Sequence, residues 1–303
     1  MGMTANQLSL VRYVAENNFQ KAKEAALCCC IEDTTQKNHW SVAKYQSLLR
    51  SGGMNLLELP ANVSQFATLE DLSNTYIENR YYLTDKEKKL FKLIKNMNDV
   101  SLQLMEKQIP YLNATLLYGK SGVGKTAFSR YVAYKLGMPY LYVNFSKMLD
   151  SYLGGTAKNL TNLFNFINQQ KCVVMLDEID SLAVKREYDG GGASAEVSRS
   201  TTCLLQLLDT VTNDHVIIAA TNLLESVDTA VKRRFTEKHE MHCLTAEDNE
   251  RFIKQYLNDT GFAYDEVSVK RYASEEHSQA EIMTHLTRSI ACKLIEKKEL
   301  VTL

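Results

Sequence analysis

The stretch of sequence that decides the fold is Gly119-Lys120-Ser121-Gly122-Val123-Gly124-Lys125-Thr126. It fits the pattern G-x-x-x-x-G-K-[ST] at every required position, and the apolar run 114–118 leads into it as a buried strand would. Glycines in such a turn let backbone N–H groups face a polyphosphate at the start of the following helix. In this pattern Lys125 reaches the β- and γ-phosphates, and the hydroxyl of Thr126 binds Mg²⁺. The octapeptide therefore predicts a site for ATP and Mg²⁺.

Outward from this loop, short apolar runs alternate with helical stretches. The strand candidates are 114–118, 140–144, 172–176 and 216–220. This alternation predicts an α/β fold in which crossover helices join the strands of a parallel sheet. The tail beyond residue 245 has no strand signal and keeps a helical spacing of apolar residues, so it predicts a small all-α domain.

The predicted organisation has three parts. Residues 1–60 form a helical N-terminal region, and Ser51-Gly52-Gly53 is the best linker candidate in this half. Residues 61–245 carry the alternating strands and helices and form the ATP-binding α/β core. Residues 246–303 form the helical C-terminal domain.

A second motif follows the strand candidate 172–176. There the apolar run ends directly in the adjacent carboxylates Asp177 and Glu178. At the carboxyl end of a buried strand, Asp177 can hold the Mg²⁺ shell while Glu178 polarises a water for attack on the γ-phosphate. The pair therefore predicts hydrolysis of the bound nucleotide, with Thr126 and Asp177 as the metal-binding residues.

Composition argues against several other classes of protein. The 303 residues are 45% hydrophobic with a formal net charge of −1, which gives no general attraction to nucleic acid or to an anionic membrane. No stretch approaches the ~20 apolar residues of a membrane span, and the first residues lack a signal-peptide pattern. We therefore expect a cytoplasmic protein without membrane insertion. The seven cysteines include no C-x-x-C pair, which favours reduced thiols over a zinc site.

Further stretches resemble the AAA+ superfamily of ATPases. Asn222 follows the strand candidate 216–220, and two arginines stand in Ala230-Val231-Lys232-Arg233-Arg234-Phe235. The second stretch is most similar to the clade of katanin, spastin and the ESCRT-disassembly ATPases. The whole chain looks like short bacterial or phage AAA proteins with a small helical N-terminal region. The resemblance covers about residues 116–303.

This resemblance implies roles for the polar residues. Asn222 would sense the attacking water and the γ-phosphate. Arg233 and Arg234 would act as arginine fingers on the ATP of the neighbouring subunit, where they offset charge on the transferring phosphoryl group. The working form would then be a homo-oligomeric ring, expected to be a hexamer, with residues 246–303 as its helical lid.

Two other stretches are similar to the same family. Tyr152-Leu153-Gly154 resembles the pore loop, in which an aromatic residue from each subunit grips an extended polypeptide, and the glycine-rich run 188–195 falls where relatives carry a second pore loop. Ser278-Gln279-Ala280-Glu281-Ile282 resembles the Ser-Gly-Ala-Asp-Ile/Leu signature of the lid. It departs from that signature at Gln279 and Glu281, which puts close contact of this turn with adenine in question.

The leading functional hypothesis is ATP-driven remodelling or unfolding of a protein substrate. One alternative is a nucleic-acid-directed AAA+ ATPase, such as a loader or a transposition or phage regulator. That class calls for a basic stripe or an appended helix-turn-helix, and the net charge and the helical tail offer neither. The other alternative is a nucleotide-gated signalling switch, in which hydrolysis only resets assembly. An intact Glu178 favours turnover over this third reading.

Overall fold

The computed structural model describes residues 2–16, 18–33, 59–149, 155–183, 192–211, 215–297 and 299–303, and within 34–58 only 35, 38, 42–43, 45–46 and 49. At 19–20 and 192–197 only the backbone is described.

Within these ranges the chain forms one six-stranded sheet. The strands are β1 (Ala67–Glu70), β2 (Asn113–Tyr118), β3 (Tyr140–Asn144), β4 (Val173–Asp177), β5 (Val216–Thr221) and β6 (Glu237–Glu240), in the order β1-β3-β4-β5-β2-β6. Only β1 runs antiparallel to its neighbour β3; all other pairs are parallel. The predicted α/β fold with a parallel sheet is confirmed.

The four predicted strands are all present, each within a residue of its expected bounds. Strands β1 and β6 were not predicted. Both are four residues long and lie at the edges of the sheet. The sequence of β6 is Glu-Lys-His-Glu, which lacks the apolar run that marks a buried strand.

Helices connect and flank the strands. They are α1 (Ala5–Ala15), α2 (Phe19–Glu32), α3 (Asp85–Glu106), α4 (Lys125–Leu136), α5 (Phe145–Met148), α6 (Gly155–Gln169), α7 (Gly192–Leu208), α8 (Thr229–Arg234), α9 (Ala246–Asp259), α10 (Glu266–Ala273) and α11 (Gln279–Glu296). Short 3₁₀ turns lie at Glu78–Arg80, Ile179–Ser181 and Leu224–Ser226. No helix in the described ranges combines the length and the apolar character that crossing a bilayer requires.

The core has two apolar layers, one on each face of the sheet. Neighbouring residues of a buried strand point to opposite faces, so Val174 and Leu176 of β4 enter one layer while Val173 and Met175 enter the other. Helices α6 and α7 cover the first layer, and α3 and α4 cover the second. The inner strands are therefore mostly apolar on both faces of the sheet, and the predicted polar site residues Asp177 and Asn222 lie at or just after strand ends.

The helices beyond residue 245 pack around an apolar cluster of their own. Its fully buried members are Ile253, Leu257, Val269, Ile282, Leu286 and Val301. Helix α11 begins with a capping box, in which Ser278 and Glu281 satisfy each other's backbone N–H groups. This cap fixes the first turn of α11, which lies beside the glycine-rich loop.

Candidate nucleotide-binding site

Three parallel strands bring the predicted site residues to one edge of the sheet. Strand β2 leads into the loop 119–124, β4 ends at Asp177, and β5 ends next to Asn222. In the ladder Leu176 is level with Ala219, and Tyr118 is level with Thr221. The carboxyl ends of parallel strands form the crevice in which open α/β sheets bind their ligands. The hydrogen-bond register therefore places the loop 119–124, Asp177 and Asn222 at the same edge of the sheet.

The glycine-rich loop has a backbone that glycine alone accommodates. Gly119, Gly122 and Gly124 have φ angles of +144°, +81° and +106°. A Cβ on Gly119 would lie 2.1 Å from the carbonyl oxygen of Met241, and one on Gly124 would lie 2.8 Å from the ring of Tyr81. The loop thus curls tightly into the first turn of α4 and leaves its N–H groups for an anion.

Lys125 holds the loop and the end of β5 together. Its Nζ donates to the carbonyl oxygens of Gly119 and Lys120 and to Oδ1 of Asn222, each at 2.8 Å. Burial is the main influence on this ammonium and lowers the pKa of Lys125, while the charge of Asp177 acts in the opposite direction. The structure therefore brings Lys125 and Asn222 into direct contact.

Asp177 and Thr126 lie side by side as the sequence predicted. Oγ1 of Thr126 is 3.3 Å from Oδ2 of Asp177, and the backbone N–H of Glu178 donates to Oδ1 at 3.0 Å. Oδ2 also accepts a hydrogen bond from the hydroxyl of Tyr142 at 3.0 Å. A hydroxyl and a carboxylate in contact supply the oxygen ligands that Mg²⁺ prefers, so these residues fit that ion. Tyr142 was missed by the sequence reasoning.

Glu178 has an unusual backbone. Its φ and ψ are +56° and 45°, a left-handed conformation that glycine adopts easily and other residues rarely do. The turn is held by Ser181, whose backbone N–H and hydroxyl both donate to the carbonyl oxygen of Glu178, at 2.9 and 2.8 Å. Such a conformation costs about 1–3 kcal/mol and persists where its surroundings impose it, commonly at functional sites.

These residues line a cleft of about 320 Å³ between the sheet edge and the C-terminal helices. The predicted residues in its wall are Ser121, Gly122, Gly124, Lys125, Thr126, Asp177, Glu178 and Asn222. Residues that the sequence reasoning did not assign to the site complete the wall: Arg80, Tyr81, Ala127, Gln279, Ala280 and Met283. Nothing local in the sequence marks Arg80 and Tyr81, because only the fold brings them beside the loop.

The first turn of α11 touches the loop directly. A Cβ on Gly122 would lie 2.9 Å from Oγ of Ser278, and the backbone N–H of Ala280 donates to the carbonyl oxygen of Gly122 at 3.3 Å. A solvent-exposed ion pair joins Lys120 to Glu276 at 3.1 Å. The cleft is therefore closed on one side by the helices beyond residue 245.

Gln279, a departure from the family signature, is buried at this contact. Its Oε1 accepts from the backbone N–H of Tyr82 at 3.1 Å, and its Nε2 donates to the carbonyl oxygen of Tyr82 at 3.0 Å. The hydroxyl of Tyr82 in turn donates to Asp248 of α9 at 2.9 Å. The side-chain amide of Gln279 thus pairs with the backbone of the segment that precedes α3. The glycine that the family signature has at this position could not make these two hydrogen bonds.

The two predicted arginine fingers lie in different surroundings. Arg234 makes a two-pronged contact with Asp209, from Nε to Oδ1 at 3.1 Å and from Nη2 to Oδ2 at 2.9 Å. Arg233 is exposed on the last turn of α8 and makes no ion pair with the described part of the chain. Neither arginine lines the cleft of its own chain.

The two predicted pore loops lie wholly or partly outside the described residues. Tyr152, Leu153 and Gly154 all belong to the segment 150–154, which the structure does not describe. In the run 188–195, residues 188–191 are likewise undescribed, whereas the backbone of 192–195 is helical and begins α7. The role of these residues stays a prediction.

The geometry defines the class of protein. A glycine-rich loop joins a parallel strand to a helix, its lysine and threonine face the strand ends, and an Asp-Glu pair ends a neighbouring strand. This is the arrangement of a P-loop nucleoside triphosphatase.

Comparison with known proteins identifies the family. Residues 115–242 match the model of the ATPase family associated with various cellular activities, AAA. The chain is 36% identical over 186 residues to the uncharacterized AAA family ATPase y4kL of Sinorhizobium fredii, covering 61% of this chain and 56% of that protein. Residues 115–242 therefore form an AAA ATPase domain, and the predicted resemblance to the AAA+ superfamily is supported over this domain.

Other relatives match over a shorter stretch of the chain. Identity is 35% over 121 residues to the 26S proteasome regulatory subunit 10B homolog A of Arabidopsis thaliana, which covers 39% of this chain and 30% of that protein. It is 36% over 121 residues to the ATP-dependent zinc metalloprotease FtsH 1 of Alkaliphilus metalliredigens, which covers 39% of this chain and 20% of that protein. The matches thus span about half of the y4kL protein and a third or less of these two.

We predict that Gly119→Ala abolishes nucleotide binding and destabilises the fold. The new methyl group would meet a backbone carbonyl, which cannot turn aside as a flexible side chain would. The matched control is Gly137→Ala, where φ is +62° but no atom lies within 4 Å, so only the left-handed backbone is penalised, by about 1–2 kcal/mol. Melting temperature and binding of a fluorescent ATP analogue would be compared. Equal behaviour of the two variants would contradict the tight approach of the loop to Met241.

Proposed function

We propose that this chain hydrolyses ATP in a homo-oligomeric ring, expected to be a hexamer, and uses the energy to remodel or unfold a protein substrate. The observation that carries the proposal is the meeting of Lys125, Thr126, Asp177, Glu178 and Asn222 at one cleft. We further propose residues 61–245 as the ATP-binding core, 246–303 as its lid and 1–60 as a separate helical region.

Within the cleft the loop and Lys125 would bind the phosphates of ATP. Gly119, Lys120, Ser121, Gly122, Val123 and Gly124 supply the backbone N–H groups. Lys125 now bonds to carbonyl and amide oxygens, and phosphate oxygens are stronger partners for a cation. Thr126 and Asp177 would hold Mg²⁺, which offsets the negative charge of the phosphates when bound.

Glu178 and Asn222 would act on the attacking water. The carboxylate of Glu178 accepts a hydrogen bond from the water and orients it toward the γ-phosphate. The amide of Asn222 can donate from Nδ2 because its Oδ1 faces Lys125. The position of Glu178 supports this role, since its left-handed turn directly follows β4 and the residue lines the cleft.

The proposed ring is supported by the position of the arginines outside the cleft of their own chain. Arg233 has no phosphate to serve within its own subunit, and an arginine supplied in trans completes the site of a neighbour. Its exposure on α8 favours Arg233 as the leading finger. Arg234 can join it only by leaving Asp209, so we assign it the additional role of fixing the end of α8.

A protein is the best-supported class of substrate for the proposed remodelling. Relatives of this chain include a 26S proteasome regulatory subunit and an ATP-dependent zinc metalloprotease, and proteasomes and proteases act on polypeptides. Tyr152-Leu153-Gly154 is the proposed grip on such a chain. The seven free cysteines suit a reducing compartment, and we propose the cytosol.

An assay of substrate stimulation tests the proposed function. The ATPase rate would be measured alone, with a permanently unfolded polypeptide and with single- or double-stranded DNA. We expect the rate to rise with the polypeptide only. A rise with DNA alone would favour a nucleic-acid-directed ATPase, and no response to either would favour a nucleotide-gated switch.

Glu178→Gln is expected to retain ATP binding and to lose turnover by about 10²–10⁴-fold. The amide keeps the shape of the side chain but cannot act as a carboxylate toward water. Lys125→Ala is the informative partner, because it should weaken nucleotide binding itself. Equilibrium binding of ATP and single-turnover hydrolysis separate the two effects. A Glu178→Gln protein that hydrolyses ATP at the wild-type rate would show that another group orients the water.

For the arginines, we expect Arg233→Ala to lower hydrolysis by about 10³-fold or more, in the range of other trans-acting fingers. Arg234→Ala should lower the melting temperature more than Arg233→Ala does, because it leaves Asp209 without its partner. Mixing Arg233→Ala with Lys125→Ala subunits should restore some activity, since some interfaces then join an intact site to an intact finger. No recovery in rings proven to contain both variants would place Arg233 outside the active site.

A further inference from the structure

Tyr142 is a titratable side chain at the site to which the proposed function gives no role. It belongs to β3, where Asn144 is level with Asp177 of β4 and Tyr142 is level with Met175. Alternate residues of a strand share a face, so Tyr142 and Asp177 lie on the same side of the sheet. The offset between them is two residues, roughly 6.6 Å along the strand. A side chain as long as tyrosine spans it, and a short polar residue at 142 would not.

The carboxylate of Asp177 accepts hydrogen bonds from three different elements. Oδ2 receives the hydroxyl of Tyr142 from β3, at 3.0 Å, and lies 3.3 Å from the hydroxyl of Thr126 on α4. Oδ1 receives the backbone N–H of Glu178, at 3.0 Å. Of the two hydroxyls, that of Thr126 is a proposed metal ligand and will exchange its partner when Mg²⁺ binds. The phenol of Tyr142 is then the side chain left to hold Oδ2.

We propose that Tyr142 is a positioning residue for the divalent cation, because its hydroxyl fixes the carboxylate of Asp177 beside Thr126. This proposal rests on the proposed function, since it assumes that Thr126 and Asp177 hold Mg²⁺. Hydrogen bonds from a neutral donor to a carboxylate are among the stronger ones in proteins, and they restrict the rotation of the group. Outer partners of metal-binding carboxylates typically change metal affinity by about 10–100-fold.

The competing partner of Asp177 is Lys125. The charge of Asp177 already acts on the ammonium of Lys125 and raises its pKa against the effect of burial. A carboxylate free to rotate could pair with this ammonium, which the phosphates need, and would then leave Thr126. The phenol of Tyr142 opposes that rotation. The hydrogen bond from the phenol also draws some negative charge from the carboxylate, which weakens its attraction for the cation. We expect the fixed orientation of the carboxylate to contribute more to cation affinity than this weakening removes.

The test is Tyr142→Phe, which removes one oxygen atom and keeps the ring. The dissociation constant of Mn²⁺ would be measured on the full chain with a saturating non-hydrolysable ATP analogue, from the electron paramagnetic resonance signal of free Mn²⁺. We expect an increase of about 10-fold over wild type. Binding of the analogue in EDTA and the melting temperature should stay close to wild type, because the phosphate loop and the core are untouched.

Tyr140→Phe is the matched control. It removes a hydroxyl from the same strand, but this hydroxyl contacts Oγ of Ser129 at 2.8 Å inside the core. It should leave the affinity for Mn²⁺ unchanged. Combining Tyr142→Phe with Asp177→Asn provides a second measurement, and the effect of losing the hydroxyl should disappear in that background.

Two results would overturn the role of Tyr142. One is an equal or tighter affinity of Tyr142→Phe for Mn²⁺, and the other is an undiminished effect in the Asp177→Asn background. A wild-type chain that binds no analogue with Mn²⁺ would instead overturn the proposed function and this role together. Normal binding of the analogue with unchanged Mn²⁺ affinity overturns the role of Tyr142 alone.

Discussion

The site depends on the parallel hydrogen-bond ladder that sets β2, β5 and β4 at one level. Because backbone bonds fix this register, the loop 119–124, the acidic pair 177–178 and Asn222 cannot separate without breaking the sheet. Breaking the sheet would also expose the two apolar layers on its faces to water, which is unfavourable in free energy. Side chains at the strand ends need only short reaches to meet, which is why Lys125 can bond to both the loop and Asn222.

A second constraint is the close approach of other segments to the loop. Met241 follows β6, Tyr81 precedes α3, and Ser278 caps α11, and each would meet a Cβ placed on one of the loop glycines. The loop is thus bordered by parts of the chain that lie far apart in sequence. Gln279 adds two hydrogen bonds between the first turn of α11 and the backbone of Tyr82. The helices beyond residue 245 are tied to the cleft by this amide and not by a flexible linker alone.

A feature was predictable from the sequence when the residues that form it lie close together along the chain. The four inner strands were predictable because a buried strand must be apolar along its whole length, whereas β6 lies at an edge and carries four polar residues. The loop and the acidic pair were predictable because their chemistry requires fixed residues at fixed local spacing. Tyr142 and Gln279 were not assigned to the site, since their partners lie 35 and 197 residues away in the chain. The pairing of Arg234 with Asp209 was not predictable either, because the sequence does not show which of many surface carboxylates lies next to Arg234.

The left-handed backbone at Glu178 has a consequence for how this chain can evolve. A glycine there would relieve about 1 kcal/mol or more of conformational strain, and asparagine would tolerate the same geometry better than glutamate. Stability alone therefore does not favour a carboxylic acid at this position, and the proposed role of Glu178 in turnover gives a reason to keep glutamate there despite the strain. Descendants that keep the loop and the ladder but have lost the need to hydrolyse nucleotide should be recognisable by a small or amide residue at 178. In such chains nucleotide would serve as a permanent structural ligand.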